Sequence, residues 1–141
     1  MGDQPNREAI EKAQQVLYEE GMKIRAEVLG ASHVADSKSL DPFQQPMQSM
    51  AVAMGWSMCW TRPNLEKRVR SLLVIVMLAV LGRNHELGVH VQGAIRNGAT
   101  EQDIQEALMQ AAVYAGAPCA LESTRVAFDA LERMRASGEL E

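Results

Sequence analysis

Two of the chain's three histidines, His85 and His90, stand close together with Glu86 between them. Glu86 and His90 are four residues apart, so on a helix they share a face. A carboxylate one turn before an imidazole holds its tautomer and supports its charged form, which suits the imidazole to general acid work. A surface ion pair has the same spacing, and both readings stay open at this point. Gly93 and Asn97 continue that face, and the bare backbone at Gly93 leaves room for a ligand or another helix. His85 lies five residues before His90, about 140° round a helix that turns 100° per residue. One helix therefore does not aim both at one metal ion. The pattern H-E-x-x-x-H also differs from the zinc-binding H-E-x-x-H, and no metal site is expected. His85 falls in a first helical turn, where the dipole disfavours its imidazolium. It reads as a neutral donor in a site or as a surface residue. His33, in a polar connector, is a weaker candidate.

Arg62, Arg68, Arg70 and Arg83 flank the most apolar run of the chain, residues 72–81. A guanidinium grips a carboxylate through two parallel hydrogen bonds. Arg68 is expected to be solvated. Arg70 enters the apolar helix, where a partly buried cation needs an anion. That anion is Glu66, four residues earlier, or a ligand carboxylate. There is no G-x-S-x-G nucleophile elbow and no phosphate-cradling glycine loop.

The elements that must position these residues read as helices. Residues 6–29 carry Ile10, Ala13, Leu17, Ile24 and Leu29 at helical spacing, and Gly30 ends the segment. Residues 30–41 read as a polar connector. Asp41-Pro42 reads as an N-cap and first turn. Met47, Met50, Met54 and Met58 then form one helix face, either a core or subunit-contact stripe or a pocket lining. After a break at residues 61–64, Asn64 is expected to cap a helix through Leu81. Gly82 turns the chain, and Asn84 reads as the N-cap of a helix to Asn97, closed by Gly98. On that helix Leu87, Val91, Ala94 and Ile95 are expected to face the core. Thr100-x-x-Asp103 resembles a capping box opening a helix through about Tyr114. Gly116 and Pro118 interrupt the chain before a last helix from about 120 to 135. The tail from Ser137 is expected to fray. No period-2 strand pattern and no internal repeat occur. The fold class is all-α, about six helices in one domain spanning 1–141.

The 141 residues are 47% hydrophobic and 23% charged, a globular balance. Aromatics make up 4% and methionines number 9, so the core is aliphatic and Met-rich. A net charge of -4 without a basic patch speaks against nucleic acid as a partner. The opening residues lack an apolar leader, Asn6 breaks the myristoylation pattern, and residues 72–81 are too few to span a bilayer. A cytoplasmic protein with no membrane partner is expected. Cys59 and Cys119 form no C-x-x-C and read as reduced, buried thiols.

Five segments together resemble the 4-carboxymuconolactone decarboxylase family: EGMKIRAEVLG (20–30), WTRPNL (60–65), RSLL (70–73), HELGVHVQGAIRNGAT (85–100) and AVYAGAP (112–118). Their order and spacing match from about Val16 to Met134. The resemblance implies an all-α, alkylhydroperoxidase-like fold and a homo-oligomer, hexamer or trimer. It implies decarboxylation without a cofactor, of 4-carboxymuconolactone to 3-oxoadipate enol-lactone in aromatic-acid catabolism (the β-ketoadipate pathway). Related peroxidases carry a C-x-x-C before a histidine. With that histidine at His90, Arg83 and Glu86 occupy the thiol positions, which speaks against peroxidase chemistry.

The substrate so implied is a lactone with a ring carboxylate and an acetate arm. As carbon dioxide leaves, electrons run through the conjugated ring onto the lactone oxygen, so the substrate is its own electron sink. Under this resemblance Arg70 or Arg62 holds the acetate arm, and His85 donates to the oxyanion. His90, oriented by Glu86, protonates carbon. Trp60 and the Met stripe form an apolar wall, and Arg83 is a further substrate-binding cation. The rival readings are a decarboxylase or isomerase of the same fold acting on another lactone or keto acid, and a non-catalytic oligomeric binding protein.

Overall fold

A computed structural model describes residues 4–36 and 40–141. The first three residues, part of the opening read for a leader, and residues 37–39 of the connector lie outside it. All regular structure among the described residues is helical, and the chain forms two compact units, residues 1–63 and 64–141.

The first unit holds α1 (Arg7–Leu29), α2 (Ala31–Asp36), α3 (Gln45–Ala51) and a π-helix (Val52–Trp60). The Asn6 side chain accepts from the Ala9 N–H at 3.1 Å and starts α1. Gly30, at φ 95°, ends it. Part of the expected connector is therefore helical, as α2. Asp41 does not cap a helix. Its carboxylate accepts from the Phe43 N–H at 2.8 Å in a local turn, and α3 starts later, with Pro46 in its first turn. The methionine face does not continue as an α-helix, because from Val52 onward bonding widens to i→i+5. A Cβ on Gly21 of α1 would lie 2.6 Å from the Val52 carbonyl oxygen and 3.2 Å from the Ser57 N–H nitrogen. These are the two ends of one π-type bond, so a residue without a side chain is what lets α1 lie against it. Within the π-helix Trp56 and Trp60 stack at 5.1 Å. Met47, Met50, Met54 and Met58 are 50–64% exposed, so they are not core. Met50, Met54 and Met58 instead line an open groove of about 910 Å³ with Tyr18 and Leu17 of α1.

The second unit is a bundle of α4 (Lys67–Val80), α5 (Asn84–Arg96), α6 (Glu101–Ala115) and α7 (Ala117–Ser137). Each connection contains a glycine at positive φ: Gly82 (65°), Gly98 (89°) and Gly116 (93°). Ile75, Leu87, Val91, Ile104, Leu108 and Leu131 form the centre of one core cluster, completed by alanines where helices approach closely. The capping box at Thr100 and Asp103 is present in both directions. Asn64 is not the cap of α4. Glu66 takes the N-cap position, without a side-chain hydrogen bond. Cys119 is half-buried with its thiol 3.1 Å from the Ala79 carbonyl, whereas Cys59, in the first unit, is exposed rather than buried.

Ion pairs close one end of this bundle. Arg68 is not merely solvated: it grips Asp103 through two hydrogen bonds, at 2.6 and 3.3 Å. Arg135 meets Glu101 and Glu132. Arg96 binds Glu139 at 2.7 Å, and Leu140 packs on the core, so the tail is tied down rather than frayed. The Thr100 N–H, then Arg68, holds the Asp103 carboxyl below its ordinary range, and Arg96 does the same for Glu139. Both groups stay ionised to lower pH in the folded chain than in the unfolded one. Their contribution is complete above the ordinary carboxylate range, near pH 4, and is lost as pH falls through the lowered values. The urea midpoint is expected to fall as pH is lowered from about 5 to about 3. Asp103→Asn should lower the midpoint at neutral pH and flatten that dependence, and an equally steep fall in the variant would refute the assignment.

Among the described residues, no helix is long and apolar enough to cross a membrane.

Candidate functional site

The site residues of the second unit are placed by α4 and α5, an antiparallel pair joined by the turn at Gly82. Leu87, Val91 and Ala94 of α5 are fully buried and face the core, as their spacing predicts. That fixes the rotation of the helix. Asn84 is not the N-cap, a position taken by Arg83. Asn84 is the first helical residue, and its amide donates to Glu122 of α7 at 3.0 Å. Gln92 reaches the Ala130 carbonyl, also on α7. α7 therefore covers one flank of α5, and α4 covers the other.

The flank toward α4 carries Glu86, His90, Gly93 and Asn97 in a row. At its far end the Asn97 amide donates to the Ser71 hydroxyl of α4 at 2.9 Å. Ser71 is 1% exposed and directly follows Arg70. The row therefore runs along the α4–α5 groove from an exposed carboxylate, past a half-buried imidazole and a buried glycine, to the level of Arg70. His90 and Asn97 are seven residues apart, about 10 Å along the axis at 1.5 Å per residue. The Nδ1 atom of His90 and the Nε atom of Arg70 are both buried. A guanidinium and an imidazole, each with a buried nitrogen, thus lie at two levels along α4 and α5, with no side chain at Gly93 between them.

The other sequence candidates fall in different places. His85 is exposed and points about 140° from His90, away from this flank. Arg83 is exposed at the N-cap of α5, at the end of the groove that carries Glu86. Glu86 is on the expected face and exposed to solvent. Trp60 and Arg62 belong to the first unit, Trp60 buried at the end of the π-helix and Arg62 exposed just beyond it. Among the described residues, no group of three or more His, Cys, Asp or Glu side chains is arranged to hold a metal ion.

One charged residue escaped the sequence reading. Arg25 of α1 is only 9% exposed, and burial pulls its pKa down. The signal was present, since Gly21, Arg25 and Val28 share a helix face and that face is the buried one.

The carboxymuconolactone decarboxylase family model matches residues 45–129. The chain is 38% identical over 124 residues to a nitrosuccinic acid decarboxylase of Metarhizium robertsii, covering 87% of each protein. It is 37% identical over 102 residues to the 4-carboxymuconolactone decarboxylase of Acinetobacter baylyi, covering 72% of this chain and 76% of that one. The match spans more than half the chain and includes every residue of the α4–α5 groove: the protein belongs to the carboxymuconolactone decarboxylase family.

Proposed function

We propose that this protein is a carboxy-lyase acting on a small acid that carries its own electron sink, and that the acid is 4-carboxymuconolactone. The product is 3-oxoadipate enol-lactone, in aromatic-acid catabolism. The observation that carries the reading is the row of Glu86, His90, Gly93 and Asn97 along α4, ending level with Arg70. As the carbon–carbon bond to the leaving carboxylate breaks, its electron pair passes through the conjugated ring to oxygen, and a proton is then returned to ring carbon. The protein has three tasks: to hold the remaining carboxylate, to stabilise the oxyanion and to deliver the proton. Arg70 serves the first and His90 the third. Arg83, at the near end of the groove, is better placed for the second than His85. Trp60 and Arg62 remain substrate-binding candidates from the first unit. The electron sink lies in the substrate, so the reaction calls on no cofactor and no metal.

The relative from Metarhizium favours a second reading. A nitro group is also an electron sink, and the same three tasks apply to a nitro diacid. A non-catalytic binding protein is disfavoured, since both relatives are named as decarboxylases. The family match crosses the boundary between the two units, which supports one functional domain over 1–141. The outer face of α4, with Leu73, Met77 and Val80 each about half exposed, supports a homo-oligomer, hexamer or trimer.

The test is loss of ultraviolet absorbance on mixing purified protein with 4-carboxymuconolactone, with EDTA and no added cofactor. Rapid turnover is expected. A folded protein that leaves the lactone untouched but releases carbon dioxide from nitrosuccinic acid would establish the second reading instead.

A further inference from the structure

We propose that the methionine face of the first unit is a twofold contact with a second copy of this chain, in which Phe43 of each copy enters the methionine groove of the other. The proposal rests on the homo-oligomer reading and names a contact separate from the outer face of α4. Phe43 is 92% exposed, and Met47, Met50, Met54 and Met58 are 50–64% exposed. At ~200 Å² for a fully exposed large side chain, these five leave roughly 600 Å² of mostly apolar surface in water. That is the upper end of the largest patch on a typical monomer, about 300–600 Å². It is also most of the about 800 Å² that each partner gives to a standard interface.

The composition of the patch fits the same occupant. Among the residues lining the groove of about 910 Å³ and the neighbouring depression at Leu40, Phe43 and Met47, only Glu11 is charged. Methionine and aromatic side chains with few charges are typical of an interface core. The patch also carries its own complement. Pro46 lines both depressions, so a projecting aromatic ring stands beside a groove with room for it. A knob beside a hole is self-complementary, because a twofold rotation sets each knob over the other copy's hole. A small molecule in the groove would leave Phe43 and Met47 in water, whereas a second copy covers both.

The test uses the full chain with Phe43 replaced by the photo-cross-linker p-benzoylphenylalanine, which inserts into nearby C–H bonds. Unlabelled and nitrogen-15-labelled copies are incubated together to exchange subunits and then irradiated. The expected products join position 43 of one copy to Met50, Met54 or Met58 of a copy carrying the other label. Phe43→Glu gives the second readout. At 92% exposure it costs the folded protomer little, so its circular dichroism should match wild type. Its mass by light scattering should fall to one half or less, because losing a twofold contact splits every assembly that it pairs. Phe43→Leu, which stays apolar, should keep the wild-type mass. An oligomeric wild type whose mass survives Phe43→Glu, or whose cross-links are absent, confined to one copy or made to other segments, overturns this contact and leaves the oligomer to the face of α4. A monomeric wild type overturns the homo-oligomer reading, and the contact with it.

Discussion

Replacing His90 with alanine is expected to lower kcat by about 10²- to 10⁴-fold, the usual contribution of a positioned proton donor. The midpoint of unfolding should move little, because His90 is half-buried on a groove flank and is not part of the core cluster. His90→Gln keeps a polar group of similar size and carries no titratable proton, so it should lose nearly as much. Glu86→Gln is the informative companion. Its carboxylate is in solvent one turn away, where a charge interaction is worth only a few tenths of a kcal/mol to about 1 kcal/mol. A loss of a few-fold is expected there. His85→Ala should leave turnover within about twofold, since its side chain points away from the groove. Turnover of His90→Ala at the wild-type rate would remove the proton donor from the proposal. A large loss in His85→Ala alone would move that role to the other side of α5.

The rotation of α5 could be read from sequence because its pattern is unambiguous. Leu87, Val91 and Ala94 leave one face to the core, and that decides where Glu86 and His90 point. The Thr100 box and the glycine stops were legible for a similar reason, as each is a local motif whose partners are within a few residues. The failures share the opposite cause. Asn84 has a capping residue's chemistry, but Glu122, thirty-eight positions away, takes its amide. The tail looks frayed until Arg96 and Glu139 are seen together. The i→i+5 bonding over Val52–Trp60 has no signature in the methionine spacing, which fits an α-helix equally well. Gly21 is its counterpart, and a lone glycine within a helical pattern does not reveal which element packs against it. The Asn97–Ser71 bond was hidden likewise, because a serine in an apolar run has no visible purpose until its partner is known.

Leu87→Ala should show the reverse of the His90 pattern. Leu87 is completely buried at the centre of the core cluster, three residues before His90 on the same helix. Removing its branched end forfeits the transfer energy of the lost methyl groups and leaves a cavity that the surrounding helices fill only in part. The combined cost is about 2–5 kcal/mol. For a small bundle that lowers the thermal midpoint by roughly 10 °C or more. Leu87→Met conserves volume and should cost less than about 1.5 kcal/mol. The groove lies on another face of α5, so kcat of the folded fraction, measured well below the transition, should stay within a few-fold of wild type. The two variants thus test the same helix from opposite sides. One removes chemistry and keeps stability, and the other removes stability and keeps chemistry. A Leu87→Ala variant as stable as wild type would mean that the cluster of Ile75, Val91, Ile104 and Leu108 is not assembled around it. A stable His90→Ala protein without turnover, beside an unstable Leu87→Ala protein with it, is the result that assigns the α4 flank of α5 to catalysis.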